Sequence, residues 1–517
     1  MTATQRKRLP LGIQTFAKIR QDDYYYVDKT ALALSLINDG THYFLSRPRR
    51  FGKSLFLDTL KELFEGNESL FQGLAVHGQW DWSVQYPVLR FSFGSGNFTQ
   101  ADYLQHNLMA QLDRLEAVFG YRSVYTTCPE RFHELIQRAG QHSGLPVVVL
   151  IDEYDKPILD ALDYPEVAKT NRDFLRGFYA SIKDNDAHIR FSFLTGVSKF
   201  SKVSLFSGLN NLTDITLTPK YSSLCGYTDS DVDRVFAAEL EGLDREEIRR
   251  WYNGYNWLGE GVYNPYDVLN LFANREFRNY WFETGTPTFL VNILFKRHVP
   301  TLSLDKMFTS TSVISSFDVD DIATEALLFQ TGYLTIKSSE RLAEQVFYTL
   351  GYPNLEVYKS LNESLLSAMV KDKSKQATNS AQLYRLLLVN DFNGLKGLFH
   401  AFYASIPNNW YNSNDIQEYE GFYASVFYSY FAALGLDVTV EDASNHGRLD
   451  VALKFNGQVY LFEFKVVVNK PKGKANRQIH ERRYADKYRH LNQPLHLVGV
   501  EFSKKDRNIV GFEVGAG

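Results

Sequence analysis

With 517 residues, 44% of them hydrophobic and 22% charged, the chain has the composition of a globular protein of two to four domains. No apolar run approaches the length of a membrane span, and the charged start MTATQRKRLP has no apolar stretch behind it, so a cytoplasmic protein without a membrane partner is expected. Cys128 and Cys225, the two cysteines, have no metal-ligand spacing and argue no disulfide.

The net charge of −4 says nothing by itself about nucleic acid, but its distribution does. Between Lys465 and His490 stand nine Lys/Arg and two Asp/Glu, a focused basic stretch of the kind that meets a phosphate backbone. A solvated helix face is the commoner meaning of such a run.

In chain order, a short lead-in, LGIQTFAKIR, precedes DDYYYVDKT and a helix over about 31–37. The triplet Tyr24–Tyr26 reads as packing rather than as a base platform. The apolar run Tyr43–Leu45 then meets RPRRFGKSL (Arg47–Leu55). A helical pattern from Ser54 to Phe64 follows, with Leu55, Phe56, Leu60, Leu63 and Phe64 on one face. Strand, basic turn ending in Gly-Lys-Ser, helix: this is the layout of a phosphate-binding loop. Gly52 lets the backbone approach an anion, Lys53 reaches β- and γ-phosphates, and the Ser54 hydroxyl binds Mg²⁺. Arg47 stands where the usual pattern has its first glycine. A basic turn capping an ordinary helix is the plainer alternative.

VLRFSF (88–93) is a strand, and 101–119 is a helix with Leu104, Leu108, Leu112 and Leu115 at helical spacing. Val147–Ile151 is a continuous apolar run, as in a strand buried on both faces of a parallel sheet. It ends in Asp152-Glu153. There an acid can hold Mg²⁺, and a second acid can orient and deprotonate water. The strand IRFSFL (189–194) ends near Thr195 and Ser198, two candidates for sensing a γ-phosphate. The alternation predicts an α/β fold with a parallel sheet and a ligand at the strand carboxyl ends.

The stretches LPLGIQTFAKIR, YYYVDKT, FLSRPRRFGKSLFLDTLKELFEG, LIDEYDKPI and FLTGVSKFSKVSLFSGLNNLTDIT resemble the AAA-ATPase-like family of bacterial P-loop proteins, whose members often end in a PD-(D/E)XK nuclease-type domain. The resemblance implies that RRFGKS is the family's own phosphate loop. Arg49, Arg50, Phe51, Gly52, Lys53, Ser54 and Leu55 would then bind ATP together with Asp152, Thr195 and Ser198. Glu153 would be the catalytic base, and Ser54 and Asp152 the Mg²⁺ ligands.

Residues 220–285 read as helical and aromatic, with Asn264-Pro265 a good helix start. Helix 322–329, the strands GYLTIK and EQVFYTLGYPN, and helix 356–369 together suggest a winged-helix-like region. KDKSKQATNS (371–380) reads as a linker. A three-part division follows: an NTPase domain at 1–219, a helical lid and winged-helix region at 220–400, and a nuclease-like domain at 401–517.

Near the C-terminus a helix is expected over 415–434, capped by Asn414 and ended by Gly435. In HGRLDVALKFNGQVYLFEFKVV, Asn456-Gly457 between alternating runs signals a two-residue hairpin. The turn sets Phe455 opposite Gln458 and, counting back, Asp450 opposite Glu463. Leu449, Val451, Leu453 and Phe455 share a face with Tyr460, Phe462 and Phe464. The other face carries Asp450, Glu463 and Lys465. Opposed carboxylates repel, and a divalent cation with hard oxygen ligands offsets that. A water-facing hairpin whose lysines relieve the repulsion is the plainer reading.

The set resembles the PD-(D/E)XK nuclease core. On that resemblance Glu420 is the helix acid, Asp450 the aspartate and Glu463-x-Lys465 the final pair, with Mg²⁺ or Mn²⁺ on Glu420, Asp450 and Glu463. Gln478 matches a further polar position on one basic helix spanning 476–491. Lys472, Lys474, Arg477, Gln478, Arg482 and Arg483 would meet nucleic acid, DNA ahead of RNA. The expectation is a P-loop ATPase whose nucleotide state gates a metal-dependent nuclease, self-assembly being left open. The rival is an NTP-driven switch or scaffold whose nuclease-like domain binds without cleaving.

Overall fold

In the computed structural model, alternating apolar segments build two separate sheets and a small third one. The structure describes residues 6–517 other than 101, 200–210, 285–289, 292, 295–296, 298, 300, 316–321, 370–372, 407–419 and 445–446. The chain divides into two compact units, Met1–Thr284 with Met307–Asn354, and Gly285–Lys306 with Leu355–Gly517. Residues 220–400 are thus shared between the units. Among the described residues no helix is long and apolar enough to cross a membrane.

The first unit is built on a parallel five-stranded sheet in the order β2-β3-β4-β1-β5. Its strands are β1 (His42–Ser46), β2 (Val88–Ser92), β3 (Val147–Asp152), β4 (Ile189–Gly196) and β5 (Thr213–Asp214). Every residue of β1 and β3 is buried, the signature of strands covered on both faces. β4 lies between them, so the phosphate loop after β1 and the acids after β3 emerge at one end, one strand apart.

Of two covering helices, Cys128–Ser143 has no counterpart in the sequence reading, and Pro165–Asp184 fills the place that the alternation left for a helix between the last two strands. The first carries clear signals: the Thr127 hydroxyl accepts from the Glu130 amide, Pro129 stands in the first turn, and Gly144 closes the helix in the left-handed region.

The aromatic stretch after the sheet is helical as expected. Asn264 caps helix Pro265–Asn274 by accepting from the Tyr266 amide. Further on, β6 (Met307–Ser310), β7 (Thr335–Leu342) and β8 (Gln345–Gly351) pair antiparallel in the order β6-β8-β7. Helices Thr311–Ile314 and Thr324–Thr331 lie between β6 and β7, whereas helix Leu355–Met369, expected as part of the winged-helix-like region, belongs to the second unit.

Of the linker expected over 371–380, residues 373–380 are instead part of helix Lys373–Leu388, and 371–372 fall outside the described residues. Leu383 and Leu387, four residues apart, are fully buried and anchor it, and the polar first half belongs to the same helix. The expected helix over 415–434 is described from Glu420 to Ala433; Asn414, Asp415 and Gln417 fall outside the described residues.

The second unit holds a mixed sheet in the order β13-β12-β11-β10-β9. It comprises β9 (Asp437–Ser444), β10 (Gly447–Phe455), β11 (Gln458–Val467), β12 (Leu495–Ser503) and β13 (Asn508–Ala516). One face presents Val451, Leu453, Tyr460, Phe462 and Phe464 to the aromatic helix Glu420–Ala433, where Phe427 and Phe431 meet the rings of β11. Each fully buried ring contributes on the order of 2–3 kcal/mol. The other face carries Ala452, Val459 and Leu461 against Ile479, Tyr484 and Tyr488. Leu449, expected on the first face, joins this second cluster at the far end of β10.

Candidate functional site

The phosphate loop is shaped by backbone conformation and held by side chains from distant segments. Arg50 (φ 69°) and Gly52 (φ 89°) are both left-handed, which turns the chain sharply into helix Lys53–Phe64. The Gly52 carbonyl accepts from the Phe56 amide and opens that helix. Arg47 is fully buried. Its guanidinium donates to the carbonyls of Ser46 (2.8 Å), Thr216 (3.0 Å), Tyr221 (3.3 Å) and Ser222 (3.4 Å) and lies 4.1 Å above the Trp257 ring. Burial pulls its pKa down to about 10. Arg47 thus braces the loop from behind, where a glycine would brace nothing.

Phe51, also buried, sets its ring edge-on against Tyr255 and Trp257. The Trp281 indole N–H donates to the Arg49 carbonyl (3.1 Å).

The loop borders a cavity of about 480 Å³, and all seven expected residues from Arg49 to Leu55 line it. That volume suits a nucleotide-sized ligand. Lys53 is buried at its edge, its ammonium donating to the carbonyls of Arg47 and Pro48 at 2.9 Å each. Burial lowers the lysine's pKa, and Asp152 gives the largest opposing pull. Glu153 lines the cavity in a left-handed backbone conformation (φ 52°), with its carboxyl pushed up by burial and by the charge of Asp152. Such a residue stores backbone strain of roughly 1–3 kcal/mol.

Asp152, Thr195 and Ser198 are not on the cavity wall. Asp152 is buried, and neither its Oδ1 nor the buried Thr195 hydroxyl has a hydrogen-bond partner among the described residues. The Ser198 hydroxyl and amide both donate to Asp155 Oδ2 at 2.6 Å. Asp155, which also accepts from the Val197 amide, ties the end of β3 to the end of β4. Gly196 permits this closeness, since a Cβ there would stand 2.4 Å from Asp155 Oδ1.

The wall also holds aromatic residues that sequence reasoning did not single out for binding, Tyr227 and Tyr266. Tyr26, read as packing, does pack on Phe16 (5.1 Å between centroids) and also lines the cavity. Nothing local marks Tyr227 or Tyr266, because the fold brings them there from beyond the sheet.

The second site rests on the β10–β11 hairpin. Asn456 (φ 50°) and Gly457 (φ 71°) are both left-handed, as a two-residue turn of this kind requires. Phe455 pairs with Gln458 and Val451 with Phe462, the expected register. One step further, Asp450 Oδ2 accepts from the Phe464 amide at 2.8 Å. Glu463 is fully buried. Its Oε1 accepts from Lys465 Nζ (3.2 Å) and from the Gln478 side-chain amide, and its Oε2 has no partner among the described residues. Burial, and secondly the charge of Asp450, push the Glu463 carboxyl well above the carboxylate range.

Asp450, Glu463, Lys465 and Gln478 are therefore brought together. Glu420 begins its helix, but its side chain lies outside the described residues. Among the described residues no three His, Cys, Asp or Glu converge on one point.

Gln478 is delivered by helix Lys474–Glu481, whose close approach depends on Gly499. A Cβ there would stand 2.5 Å from the Asn476 amide nitrogen. The single basic helix expected over 476–491 is broken: it ends at Glu481, Arg483 is left-handed (φ 48°), and two short 3₁₀ turns follow. The break turns Tyr484 inward, where it is buried within hydrogen-bond reach of Gln478 and feels the charges of Glu463 and Asp450. Tyr484 was not picked from the sequence; its place depends on that break. Lys472, Lys474, Arg477, Arg482 and Arg483 are exposed, and Gln478 is half-buried.

A family described as "Predicted AAA-ATPase" matches residues 10–206, and the PD-(D/E)XK nuclease superfamily matches residues 418–512. A protein of Azotobacter chroococcum mcd 1, described as "Uncharacterized protein in vnfD 5'region", is 60% identical over 510 residues, covering 98% of this chain and 99% of its own length. The chain belongs to the family of that Azotobacter protein, and it joins an AAA-ATPase-like domain to a C-terminal domain of the PD-(D/E)XK nuclease superfamily.

Proposed function

We propose that the protein binds and hydrolyses ATP, and that nucleotide state gates metal-dependent cleavage of phosphodiester bonds, in DNA ahead of RNA. The observation that carries the nuclease reading is the buried Glu463, with one carboxylate oxygen beside Asp450 that has no partner among the described residues. An orphaned hard oxygen next to a second carboxylate fits a divalent cation, Mg²⁺ or Mn²⁺. When bound, such an ion neutralises charge on a phosphodiester and helps to activate water. Asp450 and Glu463 would hold it, with Glu420 as helper. Gln478 orients Glu463 by donating to Oε1. Lys465 stands where its ammonium meets charge developing on the scissile phosphate.

In the first unit, Lys53 would take the β- and γ-phosphates, while Ser54 and Asp152 would hold the accompanying Mg²⁺. The buried Oδ1 of Asp152, without a partner among the described residues, supports that role. Glu153, on the cavity wall with a raised pKa, is suited to take a proton from water. Asp155 is already engaged by three donor groups and is the poorer base.

The test is purified protein incubated with linear DNA or RNA, Mg²⁺ or Mn²⁺, with and without ATP. Metal-dependent cleavage that is lost in Asp450→Asn is the expected result. No cleavage under any combination would leave the rival reading, a nucleotide-driven switch whose nuclease-like domain binds without cutting.

A further inference from the structure

The basic residues of the second unit are not confined to helix Lys474–Glu481. β11 and β12 run parallel and in register to Val467 opposite Ser503. Beyond that pair the two chains stay side by side: the Lys504 amide donates to the Val467 carbonyl (2.9 Å) and the Lys505 amide to the Val468 carbonyl (3.4 Å). The loop leaving β11, 468–474, therefore starts beside the turn joining β12 to β13, about 5 Å from it at Val468. Across residues 468–477 and 504–507 there are seven Lys/Arg, at 470, 472, 474, 477, 504, 505 and 507, and one acid, Asp506.

The loop is fixed in place. Buried Glu501, the register partner of Lys465, accepts from the backbone amides of Lys472 and Lys474. Two N–H donors satisfy that carboxylate, so the lysine side chains need not turn inward to neutralise it. Lys470, Lys472 and Lys474 are exposed, as is Lys505, whose backbone pairs with Val468. Val468, in the middle of this charge, is 68% exposed, an apolar contact for a sugar or base. At roughly 3.3 Å per residue, Val468 is about 10 Å along the strand from Lys465, within two phosphates' reach of the acids.

We propose that the loop 468–474 and the turn 504–507 form one phosphate-binding track that leads nucleic acid past Lys465 to Asp450 and Glu463. This rests on the nuclease reading above for its ligand and adds Lys470, Lys504, Lys505 and Arg507 to the basic residues already expected to meet it.

The experiment is fluorescence anisotropy of labelled DNA and RNA oligonucleotides against full-length protein in EDTA, over a KCl series. The double variant Lys470→Gln/Lys505→Gln alters two exposed side chains away from the acids. Its affinity at 100 mM KCl should fall on the order of tenfold, and its log–log salt slope for duplex DNA should shrink by about 1.8, the release of two counterion equivalents. Lys454→Gln removes an exposed charge at the hairpin end of the same sheet and should leave both quantities within twofold of the parent. Equal slopes for the parent and the double variant, with binding intact, would overturn the track while leaving the nuclease reading standing. A parent protein that binds neither DNA nor RNA at any salt would remove both.

Discussion

At the phosphate loop the buried cation Lys53 is met by the protein itself: two loop carbonyls accept from it, and Asp152 offsets its charge. At the hairpin the buried anion Glu463 is only half met, with Lys465 and Gln478 on one oxygen and, among the described residues, nothing on the other. The first arrangement satisfies the ammonium's hydrogen bonds, although burial still opposes its charge, and a nucleotide must compete with those carbonyls for the lysine. The second is frustrated, because burial and Asp450 both oppose the charge. A ligand at the loop therefore exchanges hydrogen bonds that already exist, whereas a cation or a proton at the hairpin also fills an oxygen left without a partner among the described residues.

The sharpest way to break the contrast is to remove one charge from each site. Lys53→Ala should abolish ATP binding in calorimetry, and unchanged affinity would sink the loop assignment. Asp450→Asn should cut metal-dependent cleavage by at least about a hundredfold. In EDTA the same variant should melt at the parent temperature or slightly above, because a repulsion has gone. A large loss of stability in EDTA would mean that the carboxylate is structural, held for its bond from the Phe464 amide.

Glu153→Gln comes next. ATP binding should survive and hydrolysis should fall about a hundredfold. Unchanged turnover would move the base to another group.

A third measurement addresses the frustration directly. The Glu463 carboxyl has a folded-state pKa raised above its unfolded value near 4.5. Between those two values the folded state binds the extra proton, so this group's contribution to stability falls as pH rises above about 4.5. In EDTA, Glu463→Gln should remove that decline, and its melting temperature should exceed the parent's by a few degrees at pH 8 but not at pH 4. Mg²⁺ or Mn²⁺ should stabilise the parent increasingly with pH, as the proton ceases to compete. Parallel melting curves across pH would show that Glu463 carries no such penalty.

The two sites also differ in how far they could be read from residues alone. The hairpin register from Val451 to Gln458 follows from Asn456-Gly457 and strict alternation, and the structure brings Asp450 and Lys465 near Glu463. Gln478 came from a family resemblance, and Tyr484 was missed because a left-handed Arg483 breaks the helix that the charge pattern suggested. At the phosphate loop the strand, the glycine and the lysine were legible. What grips the loop was not: Thr216, Tyr221, Ser222, Trp257 and Trp281 lie some 170 to 230 positions away, and no local periodicity records such contacts. Lys373–Leu388 fails for the opposite reason. Its polar first half looks like a linker, and only the tertiary burial of Leu383 and Leu387 makes it a helix.

The smallest expected effect tests whether that distant grip matters to the ligand. The Trp257 ring lies under the Arg47 guanidinium at 4.1 Å and beside Phe51 at 5.4 Å, nearly perpendicular to it. Trp257→Leu keeps an apolar filler but removes the ring face, so a desolvated cation–π contact of about 2 kcal/mol is lost. The carbonyls of Thr216, Tyr221 and Ser222 still hold the guanidinium, so the fold should persist with a melting temperature lowered by a few degrees. Arg47 supplies one of the two carbonyls that Lys53 must leave to reach a phosphate. Loosening Arg47 should therefore change ATP affinity as well, by a few-fold. A lowered melting temperature with unchanged ATP affinity would show that the aromatic grip only supports the fold. A change in affinity without a change in melting would place the grip in ligand binding and mean that its contribution to stability is offset elsewhere.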